Sequence, residues 1–205
     1  MSQTEATAQI AATAARLVVE EGMEYSAAKR KAARDLGRRS SRQGELPSNE
    51  QVEDEVRDYL ALFCADTQPA ELRALRELAL RWMTRLDQLG EFRPHLGGAV
   101  WRGTATRLSN LILDLYCDDE KAAEIAFLNA GLDFDSGGAG EHEALVLSTV
   151  DRTPGLAEPV TLHFVVHEYL ALRGALKPDT HGRSWRGDAN ALRRLLASEA
   201  QDHAH

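Results

Sequence analysis

Residues 97–114, GGAVWRGTATRLSNLILD, carry the residue types in this sequence that are best suited to chemistry. Gly97 and Gly98 have no side chain in the way, so their backbone N–H groups can approach a phosphate. Arg102 follows closely and supplies a positive charge that can pair with that phosphate. These residue types permit a phosphate site at a glycine turn. The alternative is that Arg102 is a surface arginine at an ordinary turn.

Three further positions of this segment share one face of a predicted strand. The stretch LSNLILDLYC, residues 108–117, is too short and too apolar for a surface helix. Residues two apart on a strand point to the same side, which groups Asn110, Ile112 and Asp114. Asp114 is the single acid among them, and a solvated or hydrogen-bonded strand residue is its simplest role.

The segment resembles the signature of the nucleotidyltransferase superfamily, the polymerase-beta-like fold that includes small bacterial nucleotidyltransferases and toxin-type relatives. That signature has Gly-Ser, then an Arg-Gly turn, then two acids separated by one apolar residue on a strand. Here Gly98 falls on the family glycine, Ala99 on the serine, and Arg102 with Gly103 on the Arg-Gly turn. The nucleotide or phosphate site that the resemblance implies comprises Gly97, Gly98, Ala99, Arg102 and Gly103.

The same register departs from the family at the metal-binding positions. Nucleotidyl transfer uses two divalent cations, held by paired carboxylates on one strand face. The acid positions are occupied by Asn110, which offers one neutral oxygen, and Ile112, which offers none. Mg²⁺ prefers charged oxygen ligands. The resemblance therefore implies a nucleotidyltransferase-like regulatory or binding protein without metal-dependent catalysis, which retains at most a nucleotide site and for which no metal or cofactor is expected.

An active enzyme with relocated acids is the first alternative. Asp114, with Asp118 and Asp119 at the strand end, would then bind Mg²⁺ together with a nucleoside triphosphate. Such a site would lie far from the glycine turn, since each step of two residues advances a strand by about 6.6 Å. The simpler role of Asp118 and Asp119 is to cap the next helix.

A basic segment supports a second alternative, an adaptor for a nucleic acid or protein. Residues 29–42, KRKAARDLGRRSSR, form the concentrated basic stretch of this sequence. No aromatic residues interleave them to stack on bases. A solvated helix face balanced by the acidic helix over 49–65 is the simpler explanation. The basic residues placed on the helix are Lys29, Arg30, Lys31 and Arg34.

Other possible motifs have simpler interpretations. His167 and Glu168 begin the zinc-protease pattern H-E-x-x-H, but Ala171 occupies the second histidine position. His163 and His167 share one strand face, where hydrogen-bonded histidines are expected. The glycine run SGGAG at 136–140 follows a helix and predicts a flexible connection.

The elements that position these residues divide the chain in two. Residues 1–90 read as helices, with apolar residues at three- and four-residue intervals. Ser48 with Gln51 forms a capping-box pattern at the start of the third helix, and Thr67 can cap the fourth. Residues 91–200 predict a small mixed sheet with flanking helices, so the expected fold is α/β (α+β).

The second part has its own start and stop signals. A helix is predicted over Asp118–Asn129, followed by an antiparallel pair of strands over Ala144–Val150 and Val160–His167. Asp188 can cap a last helix.

Composition limits the classes of function. With 43% hydrophobic and 27% charged residues the chain is globular, and its net charge of −8 disfavours a protein that coats nucleic acid. No apolar stretch approaches the ~20 residues that span a bilayer, and no export signal is evident, so no membrane partner is expected. Cys64 and Cys117 lack metal-ligand spacing and suit a reducing compartment. We expect a cytoplasmic protein.

Overall fold

The computed structural model describes residues 3–37, 46–90, 92–139 and 144–202, and its architecture is mixed α/β. Helices occupy the chain to residue 89, and a mixed sheet with further helices follows, as the sequence predicts. The helices are α1 (Gln3–Glu21), α2 (Tyr25–Asp35), α3 (Asn49–Phe63), α4 (Gln68–Leu89), α5 (Gly98–Arg102), α6 (Glu120–Asn129), α7 (Leu172–Ala175) and α8 (Ala189–Asp202). The strands are β1 (His95–Gly97), β2 (Leu111–Cys117), β3 (Asp135–Ala139), β4 (Ala144–Asp151), β5 (Val160–Glu168) and β6 (Gly187–Asp188).

Local capping signals locate the helix starts. The Ser48 hydroxyl accepts a hydrogen bond from the Gln51 backbone N–H at 3.1 Å, and the Gln51 side chain accepts one from the Ser48 N–H at 2.8 Å. This confirms the predicted capping box of α3. Asp119 accepts from the Lys121 N–H at the start of α6, and Asp188 accepts from the Ala191 N–H at the start of α8.

The first compact unit contains Met1–Pro69 and Thr104–Leu108. Helix α1 packs against both α2 and α3. Buried alanines on α1 and α2 let the helix backbones approach closely, and larger apolar residues from α1 and α3 fill the remaining space. The fully buried members of this core include Ile10, Ala14, Ala28, Ala32, Val52 and Val56.

The second compact unit contains Ala70–Gly103 and Ser109–His205. The sequence placed the boundary between helical and α/β parts at residue 90, whereas contacts assign α4 from Ala70 onward to the second unit. Trp82 of α4 lies against Phe164 of β5, with ring centroids 5.3 Å apart. The helix therefore contributes to the core of the sheet.

The strand order in the second unit is β3-β4-β5-β2-β1-β6. Strands β2 and β5 run parallel, and the other neighbours are antiparallel. One face of the two central strands is apolar and buried, and its Phe164 contacts Trp82 of α4 and Phe127 of α6. We call the opposite side the polar sheet face; it presents Ile112, Asp114, Tyr116, His163, Val165 and His167.

One prediction is wrong in this region. The glycine run at 136–140 was expected to be a flexible connection, but Asp135–Ala139 forms β3, paired with β4. Glycine has a low strand propensity, yet the edge of β4 offers unpaired backbone groups that fix the segment. Gly140 lies outside the described residues.

No helix within the described ranges is long and apolar enough to cross a lipid bilayer.

Candidate functional site

The glycine turn lies where β1 passes into α5. Gly97 pairs with Ile112 in the antiparallel β1–β2 ladder. Gly98 begins α5 with φ of +61°, and a Cβ atom placed on it would lie 3.2 Å from the Ile112 Cδ1 atom. Glycine is therefore required at residue 98 by its backbone conformation and by the isoleucine beside it. Gly103, with φ of +82°, ends the helix.

The two positions at which the resemblance expects acids differ in their surroundings. Asn110 is exposed and directly precedes β2, so it lies outside the strand on which the sequence placed it. Ile112 is on β2 and half-buried, and its side chain contacts Gly98. A hydrocarbon side chain thus lies over the glycine turn.

Asp114 is buried on the polar sheet face and has two charged or polar partners. Its Oδ1 atom lies 2.7 Å from the His167 Nε2 atom, and its Oδ2 atom lies 3.4 Å from Arg186 Nη1. Gly97 is also close, since a Cβ atom there would lie 3.1 Å from Asp114 Oδ2. A cation at Asp114 would lie next to the positive charge of Arg186 and would compete with it for the carboxylate.

Tyr116 lies two residues beyond Asp114 on β2 and belongs to the same cluster. It is fully buried, and its hydroxyl accepts a hydrogen bond from Arg186. Burial and the neighbouring Asp114 charge raise the pKa of Tyr116, although Arg186 acts in the opposite direction. Its ring stacks on that of His167 with centroids 5.3 Å apart, which orients the imidazole.

The Asp114 contact fixes the His167 tautomer. A carboxylate can only accept hydrogen bonds, so His167 Nε2 carries the proton that it donates. Nδ1 then has a lone pair when the ring is neutral. His163 lies four residues before His167 on β5, and its Nδ1 atom is hydrogen-bonded to the Ser148 hydroxyl at 2.9 Å. Both histidines are hydrogen-bonded, as the sequence predicts.

Arg102 is buried beside Asp179 rather than exposed at the glycine turn. Its Nη2 atom donates to Asp179 Oδ2 at 2.7 Å, and its guanidinium lies 4.4 Å from the centre of the Trp185 ring. Burial alone would raise the pKa of Asp179, but hydrogen bonds from Arg102, from the Arg183 and His181 backbone N–H groups and from the Arg183 side chain hold it well below its usual value. The charge of Arg102 is therefore paired within the protein.

Within the described parts of the chain, no three His, Cys, Asp or Glu side chains come together in a group that could hold a metal ion. The sequence matches no family model, and a search of curated proteins finds no significant match.

Two lysines of the basic segment have hydrogen-bond or ion-pair partners within the first compact unit. Lys29 donates to the Pro47 carbonyl at 3.1 Å and to Asn49 Oδ1 at 2.8 Å, and burial lowers its pKa. Lys31 pairs with Glu21 of α1 at 2.7 Å, not with an acid of α3. Arg30 and Arg34 are exposed. Residues 38–42 of the segment lie outside the described residues.

Sequence reasoning missed the partners that complete both polar clusters. Arg186 and Asp179 come from the chain between β5 and β6, which showed no periodicity. They are separated from Tyr116 and Arg102 by 70 and 77 residues, respectively. The available signal was the Trp-Arg-Gly-Asp stretch at 185–188, of which the sequence analysis used only the capping aspartate.

Proposed function

We propose that this chain is a nucleotidyltransferase-like protein that does not carry out metal-dependent nucleotidyl transfer and acts as a nucleotide-binding or regulatory protein. The observation that carries the proposal is the contact between Ile112 and Gly98. In the register of the resemblance Ile112 occupies the position of the second acid, so a hydrocarbon would lie beside the turn that receives the triphosphate. Magnesium ions need charged oxygen ligands at that position.

The surroundings of Asp114 support the same proposal. An active enzyme with relocated acids would use this carboxylate, but Arg186 and His167 already pair with it. A metal ion would have to compete with the positive charge of Arg186 for the same oxygen atoms. The proposal does not depend on Arg102 as a phosphate partner, since Asp179 pairs with it.

The proposal also locates the chain in the cytoplasm. Cys64 and Cys117 are free thiols, which suits a reducing compartment.

A transfer assay tests the proposal directly. The purified chain is incubated with Mg²⁺ and each of the four labelled nucleoside triphosphates, and pyrophosphate release and labelling of protein or RNA are measured. We expect no Mg²⁺-dependent transfer. Transfer that disappears in Asp114→Asn would contradict the proposal and establish the enzyme with relocated acids.

Restoring the carboxylates tests the register of the resemblance. The double variant Asn110→Asp/Ile112→Asp should gain Mn²⁺ binding, measured by electron paramagnetic resonance, because it supplies two charged oxygen ligands beside the turn. The matched control Asn110→Asp/Ile112→Asn has one charge fewer and should bind at least about tenfold more weakly, a difference of about 1.4 kcal/mol. A folded double variant that binds no Mn²⁺ would count against the nucleotidyltransferase register.

A further inference from the structure

A cavity of about 910 Å³ lies at the carboxyl ends of β2 and β5, away from the glycine turn. Its wall includes the end of α4, the residues before β1, one face of α6 and Tyr169 directly after β5. The volume falls in the range of about 300–1,000 Å³ that is typical of small-molecule sites. The enclosing elements all belong to the second compact unit.

The chain path explains why a cavity opens there. After β2 the chain enters α6, whose Phe127 packs on the apolar sheet face against Phe164. After β5 it continues to the segment whose Arg186 reaches Tyr116 on the polar sheet face. The connections that follow the two parallel strands therefore diverge to opposite faces. Such a divergence leaves a crevice at the strand ends, which is where open α/β sheets bind ligands.

Arg93 and Tyr169 lie against each other in the wall of this cavity. The Arg93 guanidinium lies 4.4 Å from the centre of the Tyr169 ring, and the arginine is exposed. Arg93 has φ of +42°, a conformation that an arginine rarely adopts and that costs roughly 1–3 kcal/mol. An exposed guanidinium beside an aromatic ring is a planar group on which a planar ligand can stack.

The polar groups around Arg93 and Tyr169 suit a neutral ligand with donors and acceptors on its edge. Gln88 and Asn129 contribute amides that both donate and accept, and Asp118 contributes an exposed carboxylate. Among the wall residues that the structure describes, the carboxylates of Asp118 and Asp119 outnumber the one cationic side chain, that of Arg93. This balance disfavours a site built to hold a phosphate chain.

We propose that this cavity binds the base of a nucleoside or nucleotide, stacked on the Arg93 guanidinium with its edge bonded to the surrounding amides and Asp118. The inference rests on the proposed function in one respect, that the ligand is a nucleotide, and it adds where the base binds. Nothing in it requires a metal or the residues of the glycine turn.

The first test compares ligands by calorimetry with the full chain and no added Mg²⁺. The probes are the four ribonucleosides, their 5′-monophosphates, ribose 5-phosphate and tripolyphosphate. We expect at least one nucleoside to bind about as tightly as its monophosphate, while ribose 5-phosphate and tripolyphosphate do not bind. Binding of tripolyphosphate with no binding of any nucleoside at millimolar concentration would overturn the inference.

Substitutions at residue 93 separate stacking from charge. Arg93→Gly removes the guanidinium and suits φ of +42°, so it should fold as stably as the wild type and bind the nucleoside at least about tenfold more weakly. Arg93→Lys keeps the charge and loses the planar group, so it should lose nearly as much affinity. Arg173→Ala removes an exposed arginine of α7, outside the cavity wall, and should bind normally. Wild-type affinity in both residue 93 variants would overturn the inference.

A blocking substitution gives a second measurement. Ala126 lies in the cavity wall on α6, so Ala126→Trp should fill the cavity and abolish nucleoside binding. Unchanged binding in a folded Ala126→Trp variant would also overturn the inference. Mg²⁺-dependent nucleotidyl transfer by the wild type would instead contradict the proposed function and leave the cavity site standing, so the two failures are distinguishable.

Discussion

Asp114 and Ile112 share one strand face, and their neighbours give them different chemistry. Ile112 lies over Gly98 and presents hydrocarbon to the turn. Asp114 has a charge, but that charge is shared with Arg186 and His167. A carboxylate that is buried and paired stabilises the sheet, whereas a metal-binding carboxylate needs accessible oxygen atoms.

Asp179 has a further consequence for the pH dependence of folding. Its usual pKa is 3.8, and in the folded protein its hydrogen bonds with Arg102, Arg183 and the His181 N–H group hold the pKa well below that value, despite burial. A depressed carboxyl pKa stabilises the folded state fully above the unfolded pKa. This contribution is lost as the pH falls from about 5 through 3.8 and towards the folded pKa.

We expect Asp179→Asn to lower the melting temperature at pH 7 and to lose less additional stability than the wild type between pH 5 and pH 3. Chemical unfolding followed by circular dichroism at each pH measures this difference. Asp87→Asn, at an exposed position of α4, is the control and should follow the wild-type pH profile. Parallel pH profiles for the wild type and Asp179→Asn would show that this residue does not contribute to acid unfolding.

The short strand β6 pairs with β1, and its Gly187 lies close to Trp101 of α5. A Cβ atom on Gly187 would clash with the Trp101 ring. The ring is fixed by hydrogen bonds from its Nε1 atom to the Ser184 carbonyl at 3.0 Å and to the Ser184 hydroxyl at 3.1 Å. The indole therefore cannot move away without losing both bonds. Arg186 directly precedes β6 and reaches Tyr116 on the polar sheet face.

Gly187→Ala should destabilise the second unit by about 1–3 kcal/mol, because the added methyl group overpacks against the Trp101 ring. Thermal unfolding of the full chain measures the change, and Trp101 fluorescence reports the displaced ring.

Gly174→Ala is the matched control for this substitution. Gly174 lies in helix α7, and a Cβ atom there would have no heavy atom within 4 Å. Alanine in a helix is favoured over glycine by about 0.5–1 kcal/mol, so this variant should be unchanged or slightly more stable. Equal stability of Gly187→Ala and Gly174→Ala would mean that the Trp101 contact yields easily.

Two helix caps and one strand show when a sequence pattern is sufficient to predict an element. The capping box at Ser48 and the cap at Asp188 were predicted correctly, because each depends on residues within three positions along the chain. Strand β3 was not predicted, because its glycines form a strand only when the edge of β4 is present.

The 97–114 segment is divided between the two compact units of the molecule. Residues Thr104–Leu108 cluster with Met1–Pro69, while Gly103 and Ser109 on either side belong to the second unit. The Gln68 side chain donates to the Ala105 carbonyl at 2.9 Å, and Ala105 is fully buried. The two units therefore cannot be separated by a single cut in the sequence.

Gln68→Ala should loosen the segment Thr104–Leu108. It leaves the buried Ala105 carbonyl without this hydrogen bond, at a cost of about 1–3 kcal/mol. Hydrogen exchange of the full chain should show amides at 104–108 exchanging at least about fivefold faster, while strand β2 stays protected. Gln9→Ala, at an exposed position of α1, is the control and should leave exchange at 104–108 unchanged. Unaltered exchange in Gln68→Ala would contradict the assigned role of this bond.

The sequence by itself determined the mixed α/β class, the four N-terminal helices, the β4–β5 pair and the hydrogen bonding of His163 and His167. It did so because apolar periodicity and capping are local, so the residues that specify an element lie within it. It also identified Asn110 and Ile112 at the positions where the resemblance expects acids.

Only the tertiary structure shows which of the charged side chains are paired within the protein. The sequence left Arg102 available to bind a phosphate and Asp114 available to bind a metal. In the structure Arg102 pairs with Asp179, and Asp114 pairs with Arg186. The two pairs are separated by 77 and 72 residues along the chain. Asp179 and Arg186 both come from a segment whose sequence has no periodic pattern. Coulomb and hydrogen-bond energies depend on distance in space, and chain folding, not sequence spacing, sets that distance.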